Sequence, residues 1–180
     1  MTDLLVIGGG AAGLMAAGAA CARGLTVTVL EHNPKGPGQK LLITGKGRCN
    51  VTSDSDVREF LPYVRHNGRF LYSSLLRFTR RRRPMELFRV TRACRSKPSA
   101  GGGYFPGVTA PPTCWPRCAI MHAMRNLCAA AQKRLVIEDG VCKGAVTDRG
   151  ETLRAENTLI ATGGISYPAT GSDGSGYRLA

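Results

Sequence analysis

The sequence predicts an α/β fold built on a parallel sheet, and three features of its first residues predict it. Residues 3–8, DLLVIG, are a short apolar run that enters glycines, as a strand buried on both faces does. Residues 11–23 carry Ala, Leu and Met without a breaker until Gly24, the pattern of a helix with a glycine stop. Residues 26–31, TVTVLE, are a second, β-branched strand. Together they form a β-α-β unit of about thirty residues. A right-handed crossover then pairs 26–31 parallel to 3–8.

The remaining elements follow in order. Residues 32–53 are glycine-rich and read as a loop, with a short helix opening near Lys40. Residues 56–78 alternate polar and apolar positions and read as helical. Residues 80–123 mix arginines, prolines, glycines and cysteines without a period. A helix is expected from Met124 to Arg134. A small β-meander comes next, with 141–148 as one strand, a turn at Arg149-Gly150, and 151–164 as a strand that re-enters the main sheet. The last stretch, ISYPATGSDGSGYRLA, is turn-rich, and the chain stops where another helix would begin. We divide the chain at 1–79, 80–123 and 124–180 and expect it to be incomplete.

At 180 residues and 43% hydrophobic, the chain can bury one core. It has no apolar run of about eighteen residues, so no membrane span is expected. Its first residues are a strand pattern and not a cleavable leader. Seven cysteines, an odd number without a CxxC pair, fit a reduced, cytoplasmic setting better than a disulfide framework. The formal net charge is +13, but nine basic residues and one acid fall between Arg77 and Lys97. Such a run can mark a nucleic-acid or membrane surface. It is also what a solvated face looks like, and we expect a small-molecule substrate and neither nucleic acid nor membrane as the partner.

The chemistry starts at Gly8-Gly9-Gly10-Ala11-Ala12-Gly13, where Gly8, Gly10 and Gly13 have GxGxxG spacing. Gly8 permits the tight turn off the strand, Gly10 lets backbone approach a pyrophosphate, and Gly13 allows close helix–strand packing. The helix N-terminus then turns its unpaired N–H groups and positive dipole end toward the phosphates. Glu31, at the tip of the second strand, has the position of a ribose-binding acid and disfavours a 2′-phosphate there. This context makes the unit Rossmann-like and dinucleotide-binding, against the alternative of a glycine turn that only packs helix on sheet. LIATGG (159–164), a strand ending in a small-residue turn, recurs in two-dinucleotide-binding-domain flavoproteins and favours FAD over NAD.

With these motifs, LLITGKGRCNVTS (41–53), GGGYFP (101–106) and LIATGGISYPATGSDGSGYRLA (159–180) resemble the BaiN-like family of FAD-dependent oxidoreductases, in which aminoacetone-oxidase-type proteins are grouped. The resemblance is good at both ends of the chain and poor in the middle. It implies a Rossmann-like FAD-binding domain interrupted by a β-rich substrate domain. It also implies that Gly8 to Gly13 hold the pyrophosphate and Glu31 the adenosine ribose, with His32 beside the adenosine. Lys40 and Leu41 would lie along the adenine–phosphate arm. Gly47, Arg48, Cys49 and Asn50 would lie near the isoalloxazine, and Thr162 and Gly163 would pack against the cofactor. Glycines let backbone approach a flat ring, while Arg48 and Asn50 carry donors for carbonyl and phosphate oxygens. Cys49 has no partner at redox spacing and reads as a small buried residue.

The sequence also departs from the family. Gln39 stands where a basic residue is usual and Lys46 where Gly is usual. Between Arg134 and Glu138 the family has a further strand, whose backbone contacts the adenine, and here it is missing. Back-translating 93–101 and 108–121 with the freedom of codon degeneracy, and reading from one base earlier, allows GVPLKTERG and DRAADVLAPLRHYA, which resemble the family's text. We therefore expect residues 90–101 and 107–121 to be frame-shifted text, 107–121 to be irregular, and Trp115 to be exposed. Cys114, Cys118 and His122 lack a fourth ligand, so no metal site is expected.

The resulting expectation is the N-terminal part of a FAD-dependent oxidoreductase, moving electrons or hydride between NAD(P)H or a small organic substrate and an acceptor. No catalytic acid or base is named by the sequence. The alternatives are a nonenzymatic dinucleotide-fold or basic nucleic-acid-binding module, or the inactive product of a damaged gene.

Overall fold

A computed structural model of the chain describes residues 2–44, 52–53, 56–81, 96–98, 103–106 and 126–179. The chain divides into two compact units, residues 1–43 with 117–180, and residues 44–116.

The first unit is built on a six-stranded sheet. Strand β1 (Thr2–Ile7) leads into helix α1 (Ala11–Cys21) and strand β2 (Val27–Glu31). The two strands pair parallel, Leu4 with Val27 through Ile7 with Leu30, as the crossover argument requires. Alternation divides their side chains between two cores. Val6, Val27 and Val29 pack with Ala17 and Ala20 of α1 on one face. Leu5, Ile7 and Leu30 pack with Ala130, Ala145 and Ala155 on the other. Burial on both faces explains the uninterrupted apolar text of β1, and each fully buried Val, Leu or Ile contributes roughly 1.5–3 kcal/mol. The small residues on the inner face of α1 let the helix lie close to the strands.

The far half of the chain completes this sheet. Numbering the strands of the second unit β3 (Thr52–Ser53), β4 (Ser96–Pro98) and β5 (Gly103–Pro106), the next are β6 (Leu127–Ala129), β7 (Gln132–Glu138), β8 (Val141–Thr147) and β9 (Thr152–Ile160). The order across the large sheet is β6-β2-β1-β9-β8-β7. Strand β9 is the joint. Its first residues pair antiparallel with β8, Leu153 with Ala145, and its later ones pair parallel with β1, Ile160 with Ile7. The strand expected to re-enter the main sheet does so. Asp139 and Gly140, both at positive φ, turn the β7–β8 hairpin, as an Asp-Gly pair does in a two-residue loop. Arg154 and Glu138 join in an exposed bidentate pair at 3.1 and 2.7 Å. The Arg154 guanidinium holds the Glu138 carboxyl below its ordinary range, though a pair so exposed adds little stability.

The helix expected from Met124 to Arg134 is corrected. Residues 127–129 form β6, parallel to β2 with Val29 opposite Leu127, and β7 begins at Gln132. The edge of β2 carries backbone groups that must be satisfied. The Val29 amide donates to the Asn126 carbonyl at 3.1 Å, and the Asn126 amide side chain donates to the Val27 carbonyl at 3.1 Å. Sheet pairing overrides the helix propensity of Leu-Cys-Ala-Ala-Ala. A strand therefore stands beside β2 in a region whose text reads as a helix.

In the second unit, the helical reading of 56–78 resolves into α3 (Val57–Phe60), a 3₁₀ turn over 61–63, and α4 (Gly68–Arg81). Asp56 caps α3 by accepting from the Arg58 amide at 2.9 Å, and Glu59 accepts from the Asp56 amide at 3.1 Å, a complete capping box. Pro62 and the left-handed Asn67 interrupt what would be one helix. Strand β5, the GYFP of the GGGYFP segment, lies between β3 and β4 in a three-stranded antiparallel sheet. Ser96 to Pro98, within the text expected to be out of frame, pair antiparallel with Pro106 to Tyr104. Residues 107–121 and Trp115 lie outside the described residues.

Candidate functional site

The site grows from the turn between β1 and α1. Gly8 has φ +106, and its amide donates to the Leu30 carbonyl at 2.8 Å. A β-carbon on Gly8 would lie 2.5 Å from the Ala161 carbonyl oxygen and 2.9 Å from the Thr162 α-carbon. The glycine loop and the ATGG turn after β9 are therefore in direct backbone contact, although they are far apart in sequence. The Ala161 amide, donating to the Ile7 carbonyl at 2.8 Å, fixes the same junction. A β-carbon on Gly13 would lie 1.9 Å from the Gly8 carbonyl oxygen and 3.1 Å from Val6 Cγ1, so α1 seats directly on the turn. Gly10 is different: a β-carbon there meets nothing within 4 Å. It is the N-cap of α1, without a side-chain cap, and Ala11 and Ala12 behind it are exposed. The helix thus presents its first N–H groups and positive end to an open space that only the missing Gly10 side chain would enter.

Glu31 closes the other side of the turn. It is buried, with 9% of its surface exposed. Its Oε2 accepts from the Gly9 amide at 2.8 Å, and its Oε1 accepts from the Asn33 amide at 2.7 Å. The carboxylate at the tip of β2 therefore orders the glycine loop itself, a role that the spacing argument did not include. Carboxylate oxygens each carry two acceptor sites, so both keep capacity for a further donor. The His32 Nδ1 lies 3.9 Å from Glu31 Oε1, and the His32 ring faces Gly171, where a β-carbon would approach it to 3.4 Å. Glu31→Ala strands the Gly9 and Asn33 amides, at about 1.5–3 kcal/mol for each hydrogen bond to a charged acceptor. Urea unfolding of the flavin-free chain is expected to show this loss, with Glu31→Gln recovering part of it.

After Asn33, an Asx turn carries the chain through Pro37 and Gly38, and the Gly38 amide donates to the Gly9 carbonyl at 2.9 Å. This leads into α2 (Gln39–Ile43), the short helix expected near Lys40. The Lys40 Nζ donates to the Ser166 carbonyl at 2.6 Å and to the Ser172 hydroxyl at 2.7 Å. Leu41 is half-buried on the same helix. Beyond Thr162 and Gly163, the loop passes a 3₁₀ turn at 168–170 and enters α5 (Ser175–Leu179). Thr162 packs against that helix so closely that a β-carbon on Gly176 would fall 2.2 Å from its hydroxyl. Asp173 caps the helix start, and the Ser175 amide, donating at 2.9 Å, holds its carboxyl below the ordinary range.

Of the residues singled out by sequence, Gly8, Gly10, Ala11, Ala12, Gly13, Glu31, His32, Lys40, Leu41, Thr162 and Gly163 all belong to this unit. The structure brings the glycine turn, Glu31 and the 161–163 turn together at the ends of β1, β2 and β9. Gly47, Arg48, Cys49 and Asn50 lie outside the described residues, as do Cys114, Cys118 and His122. The sequence reading missed Asn33, Ser166 and Ser172. A cluster of small polar residues around a half-buried lysine has no spacing signature, because its members meet only through the fold. Among the described cysteines, burial pushes the Cys21 and Cys128 thiols up, as expected for inert packing residues.

An α/β sheet with a glycine-turn crossover at its first strand, an acid at the tip of the second and a returning strand beside the first defines a dinucleotide-binding protein. The chain belongs to the HI0933-like Rossmann-domain family, whose model matches residues 2–180. This is the group of FAD-dependent oxidoreductases whose motifs the sequence resembles. Two relatives are each 30% identical. The ribosomal RNA dihydrouridine synthase of Escherichia coli K12 aligns over 99% of this chain and 43% of its own length. The 3-dehydro-bile acid delta(4,6)-reductase of Clostridium scindens aligns over 100% and 43%. The chain thus spans less than half the length of these relatives. Among solved structures, the 3-ketosteroid-delta4-(5alpha)-dehydrogenase of Rhodococcus jostii RHA1 is similar in fold, with a TM-score of 0.62 at 16% identity, covering 92% of this chain and 46% of that one. Among the described residues, no helix is long and apolar enough to cross a membrane.

Proposed function

We propose that this chain is the FAD-binding part of a flavin-dependent reductase. The carrying observation is the open face at Gly10. A helix N-terminus without a side-chain cap, exposed at Ala11 and Ala12, faces a space that any side chain at position 10 would occupy. That geometry fits a pyrophosphate. Gly10 and the first amides of α1 would hold the phosphates, Glu31 would accept from the adenosine ribose while keeping its bonds to Gly9 and Asn33, and His32 would flank the adenosine. Thr162 and Gly163, set against Gly8, would line the cofactor from the β9 side. When bound, the flavin supplies two-electron transfer, and the protein supplies position and electrostatics.

The names of the two relatives narrow the reaction type. One makes dihydrouridine and the other reduces a delta(4,6) bile-acid skeleton, so each product is a carbon skeleton with fewer double bonds. We read the complete protein as a reductase of a carbon–carbon double bond in an organic substrate, drawing electrons from NADH or NADPH. The purified chain is expected to show the two visible flavin bands after incubation with FAD and to lose excess flavin slowly on gel filtration. A folded chain that retains no flavin, yet binds RNA with a steep salt dependence, would favour the nonenzymatic basic module instead.

A further inference from the structure

We infer that Lys40 is a positioning residue, a lock that holds the 164–174 loop against α2, and not a ligand of the cofactor's phosphates. The inference rests on the flavin reading for its effect on affinity, while the lock itself stands on the protein's own bonds.

The ammonium of Lys40 has three protons. Two are committed, to the Ser166 carbonyl at 2.6 Å and to the Ser172 hydroxyl at 2.7 Å. Bonds this short from an ionised donor belong to the stronger class of protein hydrogen bonds. Ser172 is itself buried, with 7% of its surface exposed, and its hydroxyl lies 3.0 Å from where a Gly163 β-carbon would be. The lysine therefore grips the loop at a point in contact with the turn that follows β9. At its other end, the residue that leads into α2 is tied to the glycine turn through the Gly38 amide and the Gly9 carbonyl at 2.9 Å. A closed circuit results: the β1 turn to Gly38, α2 to Lys40, Lys40 to Ser172, Ser172 to Gly163, and Thr162 back to Gly8. One side chain closes a circuit between segments separated by more than half the sequence.

Apart from the packing of Gly171 against His32 and Asn33, the loop has few other anchors. Its described backbone bonds are local: Thr170 to Tyr167 at 3.0 Å, Gly171 to Pro168 at 2.8 Å and Gly174 to Gly164 at 3.3 Å. Ile165 and Tyr167 are exposed. A segment with little buried apolar surface is poorly ordered without a specific tie, and Lys40 is that tie. The flavin then meets a wall already in place, so that ordering the loop costs no binding energy.

The test is amide hydrogen exchange on the flavin-free 180-residue chain, followed by FAD titration. Lys40→Met is expected to speed exchange at Thr170, Gly171 and Gly174 by about tenfold while leaving the core amides of Val6 and Val29 unchanged. Ser172→Ala is expected to act in the same direction, and the double variant no further than Lys40→Met alone. Lys40→Arg, which keeps donors within reach, restores protection. FAD affinity falls by about tenfold in Lys40→Met, with the same ratio at low and high salt, because no phosphate contact is lost. Unchanged loop exchange in Lys40→Met overturns the lock. So does an affinity loss that vanishes at high salt or that Ser172→Ala does not share. If the chain binds no flavin at all, the exchange result still decides the lock, and only the flavin reading fails.

Discussion

Gly10→Val is expected to fold as the parent does and to lose flavin. The two halves of this result have separate causes. A β-carbon at position 10 meets no protein atom within 4 Å, and the backbone there, φ −77 and ψ −171, is extended and open to a β-branched residue. Replacing a glycine N-cap costs at most about 1 kcal/mol. The melting temperature of the flavin-free variant should therefore move little. Flavin affinity should fall by at least about a hundredfold, roughly 2.7 kcal/mol, because the isopropyl group takes the space that the pyrophosphate needs against the helix end. Gly10→Ala should fall between the two. Parent-like flavin content in folded Gly10→Val protein would place the cofactor elsewhere and remove the basis of the site.

How far the site was legible depends on which residues act locally. The β-α-β unit could be read directly, because β1 and β2 are apolar on both faces and α1, an alanine-rich run that carries Gly13 and Gly18, has no proline before its stop at Gly24. Those signals do not depend on distant parts of the chain. The return of β9 to the sheet was legible for the same reason, since its apolar end is the text of a strand with two covered faces. Residues 124–134 were not. Their composition favours a helix, and only the unfilled edge of β2, invisible in a local window, makes 127–129 a strand. Glu31 shows the limit within the site. Spacing indicated an acid at the strand tip but not its bonds to Gly9 and Asn33, which arise because the turn folds back over the carboxylate. The Lys40 tie to Ser166 and Ser172 was equally hidden, because the partners are brought together by the path of β9 and not by any period in the sequence.

Gly13→Ala should give the opposite pattern to Gly10→Val, damaging the fold before any cofactor is added. The added methyl carbon would lie 1.9 Å from the Gly8 carbonyl oxygen, far inside van der Waals contact, and 3.1 Å from Val6 Cγ1. The first neighbour is backbone and cannot rotate away. Gly8 is itself pinned, by the hydrogen bond that its amide donates to the Leu30 carbonyl and by the contact with Ala161 and Thr162 behind it. Relief requires α1 to move off β1, which opens the packing of Ala17 and Ala20 against Val6, Val27 and Val29. Overpacking of this kind costs about 1–3 kcal/mol, and the rigid backbone neighbour puts this site at the upper end. At roughly 2–4 °C per kcal/mol for a chain of this size, the flavin-free variant should melt about 6–12 °C lower. The gain in helix propensity from Gly to Ala, at most about 1 kcal/mol, works the other way and does not offset the clash. Calorimetry of the flavin-free Gly10→Val and Gly13→Ala chains side by side checks this. An unchanged or raised melting temperature for Gly13→Ala would mean that α1 does not rest on the Gly8 carbonyl, and the close helix–strand seat that opens the site would have to be abandoned.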